Sequence, residues 1–312
     1  MLHYVSDEEC RFTKVMLHKR WTMSNILKKL IAITLTASFA LGIAACHKKG
    51  DNPLYEDMVM VKDGTGGEML VPLYDELPAA EFNPEDFESD EDKILYKGSE
   101  REVMYGIDVS EHQAEIDWEA VRDSGVDFAM IRAGYRGYSE GQLHEDSFFK
   151  QNIEGAQKYG IPVGVYFFSQ AVEPKEAREE AKLLLDIIDG YDIDLPIFYD
   201  WENIGYMTDA RTDDLDSETL TDCCLEFCEK IADEGYETGV YFYRSLGYLQ
   251  YQLSRLKDLY FWVGAPGDYP DFYYDHMIWQ YSYTGQVDGI EKDTDLNILF
   301  VPEIDEKDEK EE

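Results

Sequence analysis

Two acidic residues at the end of an apolar run are the feature of this sequence best suited to chemistry. The run 195–199 leads directly into Asp200-Trp-Glu202. On a β-strand, residues two apart point to the same face, so the side chains of Asp200 and Glu202 project together. Neighbouring carboxylates raise one another's pKa and oppose folding, and paired carboxyl groups are the usual acid and base of glycosidic bond cleavage. A single D-x-E is a weak signal, and its meaning depends on the elements that position it.

Composition narrows the classes of protein to which the chain can belong. It has 312 residues, of which 44% are hydrophobic and 14% aromatic, enough for one large domain with a sizeable core. The formal net charge is −38. Such a charge argues against nucleic acid as a partner, which requires a basic surface, and against electrostatic docking onto anionic lipid.

The N-terminal region has the pattern of a secretory signal. Lys28-Lys29 precede an apolar run from 30 to 45, and the run closes on Ala44-Ala45-Cys46. A cysteine directly after small residues resembles a bacterial lipobox, which predicts a signal peptide over 1–46 and a lipid on Cys46. An uncleaved membrane anchor is the alternative, although the run is shorter than the roughly 20 residues of a span. Both interpretations place the remainder outside the cytoplasm. Met23 offers a second start, and residues 1–22 would then not be translated.

Residues 47–102 are expected to be an acidic, flexible tether. Positions 47–100 hold five Lys/Arg and fifteen Asp/Glu, a net charge of −10, with no sustained apolar periodicity. Such composition favours an extended linker between a membrane and a folded domain. The last residues, 303–312, form a charged tail.

Between these segments, short apolar runs alternate with helical patterns. Strands are expected at 103–109, 128–133, 161–168, 195–199, 238–243, 260–264, 277–281 and 296–301. Helices are expected at 118–124, 145–159, 174–188 and 217–234, where apolar residues recur at helical spacing. This alternation predicts an α/β domain over 103–302, a TIM-like barrel of eight strands whose last three connections are poor in helix, (β/α)5(β)3. An open doubly wound sheet is the alternative.

In such barrels the working residues lie at the C-terminal ends of the strands. Asp108 ends the first strand and Asp288 follows the seventh, which adds two acids to the pair on the fourth. Aromatic residues gather at the same ends: Tyr135, Tyr166, Phe168, Tyr243, Trp262, Trp279 and Tyr281. A cleft of acids and rings suits a glycan, because sugars present flat C–H faces and polar edges.

Competing chemistries have less support. The histidines lack the surroundings of a Ser–His nucleophile, and the acidic spacings lack a calcium-binding loop. Cys223, Cys224 and Cys228 share one helical stretch and are expected to be buried small hydrophobes. We therefore expect neither a metal nor a cofactor.

At these residues the chain closely resembles the family 25 glycoside hydrolases, lysozymes that cleave peptidoglycan as N-acetylmuramidases. The resemblance runs from about 105 to 300 and includes these motifs: Gly106-Ile-Asp-Val-Ser-Glu-His-Gln113, Ile116-Asp-Trp118, Ile131-Arg-Ala-Gly-Tyr135, Gly164-Val-Tyr-Phe-Phe-Ser169, Asp200-Trp-Glu202, Trp279-Gln-Tyr281, Val287-Asp-Gly-Ile290 and Asp295-Leu-Asn297. It implies a barrel of eight strands with about five helices, acting on the glycan strands of peptidoglycan without a cofactor.

The resemblance also implies roles for the acids. Glu202 corresponds to the general acid, with Asp108, Asp200 and Asp288 in support; whether a carboxylate or the substrate's own N-acetyl group attacks stays open. The residues expected to contact the sugar are Tyr135, Tyr166, Tyr243, Trp279, Tyr281 and Asp295.

Two positions depart from the family pattern. Ala114 replaces a common glycine, and Phe167 replaces a common histidine, which removes a polar group from the expected rim. The expected protein is a muramidase anchored by Cys46 outside the bacterial membrane. A non-hydrolytic glycan-binding lipoprotein on the same fold is the alternative, and an acidic membrane-surface scaffold has little support.

Overall fold

The computed structural model describes residues 57–90, 93–204 and 210–301. Its strands, in chain order, are β1 (Met58–Lys62), β2 (Glu68–Pro72), β3 (Phe87–Asp90), β4 (Lys93–Tyr96), β5 (Val103–Val109), β6 (Phe128–Arg136), β7 (Leu143–Glu145), β8 (Val163–Ser169), β9 (Ile197–Trp201), β10 (Thr238–Tyr243), β11 (Tyr260–Gly264), β12 (Ile278–Gly285) and β13 (Thr294–Phe300). Its α-helices are α1 (Trp118–Asp123), α2 (Phe149–Lys158), α3 (Pro174–Ile188), α4 (Ser217–Ala232) and α5 (Arg244–Leu249). Short 3₁₀ helices span Pro84–Asp86, Glu111–Gln113 and Leu253–Leu256. Within these described ranges, no helix has both the length and the apolar character needed to cross a membrane.

Eight strands close into a barrel. Their order is β5-β13-β12-β11-β10-β9-β8-β6, and a parallel pairing of β5 with β6 completes the ring. All neighbouring strands of the barrel are parallel except that β13 runs antiparallel to both β12 and β5. The short β7 is not part of the ring and pairs antiparallel with β6. The predicted α/β barrel of eight strands with about five helices is confirmed, and the fifth helix is α5.

Helices cover the outer face of the barrel around β6, β8, β9 and β10. Local sequence explains where they begin: the Asp117 carboxylate accepts hydrogen bonds from the first turn of α1, and Asp216 does the same for α4. Pro174 occupies the first turn of α3, where its missing N–H costs nothing. The predicted burial of the cysteines on α4 is confirmed, since Cys223, Cys224 and Cys228 are buried free thiols.

Two β-hairpins precede the barrel: β3–β4 packs against the remaining outer face, and β1–β2 lies against the loop before β12, where Lys62 is 3.8 Å from Asp271. The connections after β11 and β12 contain no α-helix in the described chain, so the apolar residues on the outer face of β12 and β13 need another cover. Phe87 packs edge-on against Trp279 at 5.7 Å, and Phe82 lies 4.5 Å from the Phe300 ring. Ala79 forms a backbone bridge with Tyr274.

The expectation of a flexible tether is therefore wrong for the described part of 47–102. In these hairpins the buried residues Val61, Val71 and Ile94 each lie between more exposed neighbours of mixed polar and apolar type. The expectation of a tether relied on the net charge of the segment. The alternation of buried and exposed residues at every second position is stronger evidence, because it indicates a strand that covers a core. Residues 47–56 lie outside the described chain.

Candidate active site

A cavity of about 210 Å³ opens where the parallel barrel strands end. Four carboxyl groups line it: Asp108 on β5, Asp200 on β9, Glu202 just after β9, and Asp295 on β13. Because β13 is antiparallel to its neighbours, its N-terminal end meets the C-terminal ends of the other strands. Asp295 and Asp108 are directly paired across the β13–β5 ladder. We call Asp200 and Glu202 the acid pair, and Asp108 and Asp295 the amide-bound pair.

The acid pair lies in an environment that favours protonation. Asp200 is buried, and its Oδ1 atom has no hydrogen-bond partner within the described structure. Burial, followed by the charges of Glu202 and Asp108, raises the pKa of Asp200 well above its ordinary value. Burial and then the charge of Asp108 raise the pKa of Glu202 to about 7. A carboxyl group of this kind can be a proton donor near neutral pH.

The backbone that carries Glu202 is held from the neighbouring strand end. Gln170 donates from Nε2 to the Glu202 carbonyl oxygen at 3.1 Å. The Gln170 side chain is itself fixed, because Thr212 donates from Oγ1 to its Oε1 at 2.8 Å. These contacts restrict the candidate acid through its main chain and leave its carboxyl group on the cavity wall.

The amide-bound pair is surrounded by hydrogen-bond donors. Asp108 Oδ2 accepts from Gln280 Nε2 at 2.9 Å and from Asn297 Nδ2 at 2.8 Å. Burial raises the Asp108 pKa, whereas hydrogen bonds from Asn297, Gln280 and Asp295 oppose that rise. Burial and then the charge of Asp108 raise the pKa of Asp295 to about 9. The amide donors on Asp108 Oδ2 favour its ionised form, so a negative charge on this pair is favoured on Asp108 rather than on Asp295.

Arg132 is the one Arg or Lys side chain among the residues that line this cavity. Its Nε donates to Asp146 Oδ2 at 2.8 Å, and its guanidinium lies 5.0 Å from the centre of the Tyr135 ring. Its charge lowers the pKa of Asp200, but burial outweighs that effect. Within the described ranges, no group of three or more His, Cys, Asp or Glu residues is arranged to hold a metal ion.

Five of the predicted site residues line the cavity, namely Asp108, Tyr166, Asp200, Glu202 and Asp295. Asp288 lies outside the cavity wall, contrary to the expectation that it would join the other three acids there. It is an exposed residue of a turn that is tied to the start of α1 by a hydrogen bond from Asp117 N to Gly289 O of 2.9 Å. The sequence analysis expected the acid after the seventh strand to lie at the rim of the barrel. In the structure the eighth strand, β13, is antiparallel to its neighbours, and its N-terminal end places Asp295 there instead.

Trp279 and Tyr281 also lie outside the cavity. Side chains alternate along β12, so Gln280 faces the cavity and the two aromatic residues face outward, where Trp279 contacts the β3–β4 hairpin. Tyr135 stacks on His144 at 5.0 Å and is not part of the cavity wall. Tyr243 is half-buried near the wall, and burial followed by the charge of Glu202 raises its pKa.

The two departures from the family pattern do not reach the cavity wall. Phe167 is fully buried on the outer face of β8 and packs against Phe227 of α4, so it removes nothing from the rim. Ala114 has φ of 58°, a conformation that favours glycine, and it directly follows Gln113 of the cavity wall.

The sequence interpretation missed the polar residues that surround Asp108. Gln280 and Asn297 stand in apolar strands at positions that face the barrel interior, and that placement was the signal available. Tyr241 and Arg132 line the cavity as well, and Trp262, noted only as an aromatic residue of the rim, does so with its indole N–H bonded to Asn297.

Comparisons with known proteins agree with this arrangement. The "Autolytic lysozyme" of Clostridium acetobutylicum is 29% identical over 196 residues, which cover 62% of this chain and 55% of that protein. "Lysozyme M1" of Streptomyces globisporus is 26% identical over 209 residues, 62% of this chain and 67% of that protein. The chain therefore spans only about half the length of the clostridial relative.

Solved structures show the same fold. The modular autolysin LytC of Streptococcus pneumoniae, in complex with a synthetic peptidoglycan ligand, has 25% identity and a TM-score of 0.53, covering 78% of this chain and 57% of LytC. A family 25 glycosyl hydrolase of Bacillus anthracis has 24% identity and a TM-score of 0.53 over 67% of this chain and 93% of that protein. The sequence model of glycosyl hydrolases family 25 matches residues 107–290, more than half of the chain. The chain belongs to glycosyl hydrolases family 25.

Proposed function

We propose that this chain is an N-acetylmuramidase, which cleaves the β-1,4 bond between N-acetylmuramic acid and N-acetylglucosamine in peptidoglycan. The observation that carries the proposal is Glu202, a carboxyl group on the cavity wall whose pKa is raised to about 7 beside three other acids. A general acid needs to be protonated at the working pH, and burial supplies that condition. The peptidoglycan ligand bound to LytC supports the same substrate class.

The proposed division of labour follows the protonation states. Glu202 donates its proton to the leaving glycosidic oxygen. Asp108, whose ionised form is favoured by two amide donors, stabilises the positive charge that develops on the sugar ring. Asp200 keeps its proton and offers Oδ1, which has no partner in the described structure, to the substrate's acetamido group. Asp295 takes the supporting place that sequence reasoning assigned to Asp288.

The test is digestion of purified sacculi by the full chain. Fragments are reduced with borohydride and identified by mass spectrometry, so the sugar at each new reducing end is known. New reducing N-acetylmuramic acid ends are expected. N-acetylglucosamine ends would contradict the proposed bond, and binding to sacculi without release would favour the non-hydrolytic alternative.

We also propose that the protein acts outside the cytoplasm, with 1–46 as a signal peptide, Cys46 as the lipidated residue and 303–312 as a charged tail. These residues lie outside the described structure, and the lipobox-like Ala44-Ala45-Cys46 supports the assignment. Metabolic labelling with a palmitate analogue should mark the wild-type chain and not Cys46→Ser. Equal labelling of both would contradict the anchor.

A further inference from the structure

The hydrogen bonds that Asp108 accepts come from two side-chain amides, and each amide group has two possible orientations. The Nε2 atom of Gln280 and the Nδ2 atom of Asn297 both donate to Oδ2 of Asp108. A rotation of either amide by half a turn would point a carbonyl oxygen at the carboxylate instead. Two donors would then become acceptors, and the ionised form of Asp108 would lose its hydrogen bonds in a buried site, where such a loss is expensive.

The oxygen end of each amide is held by a further donor. Trp262 donates from Nε1 to Asn297 Oδ1 at 2.8 Å. Tyr241 donates from its hydroxyl to Gln280 Oε1 at 2.8 Å. An indole N–H can only donate, so Trp262 admits a single orientation of Asn297. A tyrosine hydroxyl donates or accepts, so Tyr241 constrains Gln280 less strictly.

These contacts form a continuous belt around the inside of the barrel. Each hydrogen bond reaches across one strand, from Tyr241 of β10 to Gln280 of β12 and from Trp262 of β11 to Asn297 of β13. The backbone register brings the four side chains together, because Tyr241 lies opposite Trp262 and Gln280 lies opposite Asn297. Trp262 and Asn297 are 2% and 0% exposed. The belt ends on Asp108, so rigid neighbours in the barrel fix every donor.

We propose that Trp262 and Tyr241 are positioning residues, which turn the amides of Asn297 and Gln280 toward Asp108 and thereby keep Asp108 ionised beside the candidate acid. The proposal rests on the proposed function for its catalytic meaning. Because the charge of Asp108 contributes to the raised pKa of Glu202, a disordered belt would lower the pH at which Glu202 loses its proton. The titratable and charged groups that face Asp108 or Glu202, or share their cavity, are Arg132 of β6, Tyr166 of β8, Asp200 of β9, Glu202 just after β9, Tyr241 and Tyr243 of β10, Tyr283 of β12, Asp295 of β13 and His112.

The test compares Trp262→Phe with Trp279→Phe. Both tryptophans are buried in adjacent strands and each donates one 2.8 Å hydrogen bond, but Trp279 donates to the backbone oxygen of Ala265 on the outer face. The measurements are the pH profile of kcat/KM on sacculi and the titration of the Glu202 carboxyl carbon by NMR. We expect Trp262→Phe to shift two quantities to lower pH by about half a unit or more: the high-pH limb of the kcat/KM profile and the midpoint of the Glu202 titration. We also expect kcat/KM to fall by about tenfold.

Trp279→Phe should leave the limb in place while it lowers the unfolding temperature. Equal limb positions in the two variants, or a rise in KM alone for Trp262→Phe, would overturn the proposal. If Trp262→Phe does not fold, Tyr241→Phe carries the test and must shift the Glu202 midpoint in the same direction by a smaller amount; no shift would overturn it. The NMR titration needs no substrate, so it decides the inference even if the wild-type chain cleaves no peptidoglycan and the proposed function fails.

Discussion

The two carboxyl pairs on the cavity wall have the same chemical groups and opposite surroundings. In the amide-bound pair, Asp108 accepts two amide hydrogen bonds at 2.8–2.9 Å. In the acid pair, Asp200 is equally buried, but its Oδ1 atom has no partner in the described chain. Burial raises the pKa on both sides. Hydrogen-bond donors oppose the rise for Asp108 and not for Asp200, so a negative charge is favoured on Asp108 and a proton on Asp200.

The difference in hydrogen bonding between the two pairs explains how one cavity can supply an acid and an anion at the same pH. Four carboxyl groups of similar intrinsic pKa would share protons evenly in water. Here the amides assign the charge to Asp108, and that charge in turn contributes to keeping Glu202 protonated up to about pH 7. The donors around Asp108 are therefore part of the description of the acid, although the amide groups of Gln280 and Asn297 donate to the amide-bound pair and not to Glu202 itself.

The largest expected effect comes from removing the proton of the acid pair. Glu202→Gln keeps the shape and the hydrogen-bonding capacity of the side chain but has no dissociable proton. General acid catalysis contributes about 10²–10⁴-fold, so we expect cleavage of sacculi to fall by about 10³-fold or more. Release of reducing ends measures the effect, with circular dichroism as the control for folding. Activity within a few-fold of wild type would show that another group is the acid.

Removing the charge of the amide-bound pair should have the next largest effect. Asp108→Asn keeps one acceptor oxygen for the amides and loses the anion, and loss of such electrostatic stabilisation costs about 10²-fold in rate. The basic limb of the pH profile should also move to lower pH, because the Asp108 charge helps to raise the Glu202 pKa. A profile that is lower at every pH with its limb unmoved would contradict the coupling of the two pairs.

Local patterns in the sequence predicted the acid pair better than its partners. Asp200 and Glu202 share one strand end, so their proximity follows from a spacing of two residues. The pairing of Asp108 with Asp295 depends on the direction of β13, which no local pattern specifies. The antiparallel return of that strand replaces Asp288 by Asp295 at the rim.

The barrel as a whole was predictable for a related reason, and its cover on one side was not. Strand and helix periodicities over 103–300 are local, and together they favour a closed sheet with helices outside over an open doubly wound sheet. The hairpin β3–β4 is held over the barrel by long-range contacts such as Phe87 with Trp279. Such contacts could not be predicted from local sequence, because they depend on which face of the finished barrel has no helix to cover it.

The free energy of unfolding should depend on pH through the buried carboxyl group of Glu202. The folded-state pKa of Glu202, about 7, lies above the usual value for an unfolded chain, about 4.3. Its contribution to stability is therefore fully present below about pH 4 and is lost as the pH rises through 7. Glu202→Gln removes this loss, and we expect it to raise the free energy of unfolding at pH 8 by about 0.5–2 kcal/mol.

Urea unfolding at pH 4 and pH 8 measures this effect in the wild type and in Glu202→Gln. The difference between the two proteins should be small at pH 4 and larger at pH 8. A difference that is the same at both pH values would show that the substitution acts through packing rather than through the buried charge.

The smallest expected effect separates the two aspartates that compete for the fourth position. Asp295→Asn replaces the carboxyl group that is hydrogen-bonded to Asp108 by an amide, whose N–H is a weaker donor to a carboxylate than a carboxylic O–H; a loss of about 1.4 kcal/mol would lower cleavage by about tenfold. Asp288→Asn changes an exposed turn residue outside the cavity wall, and its activity should stay within about twofold of wild type, as surface substitutions usually do. The two variants make the same chemical change seven positions apart, so each controls for the other in assays on sacculi. A larger loss for Asp288→Asn than for Asp295→Asn would mean that the turn approaches the substrate and that the amide-bound pair has been assigned to the wrong acid.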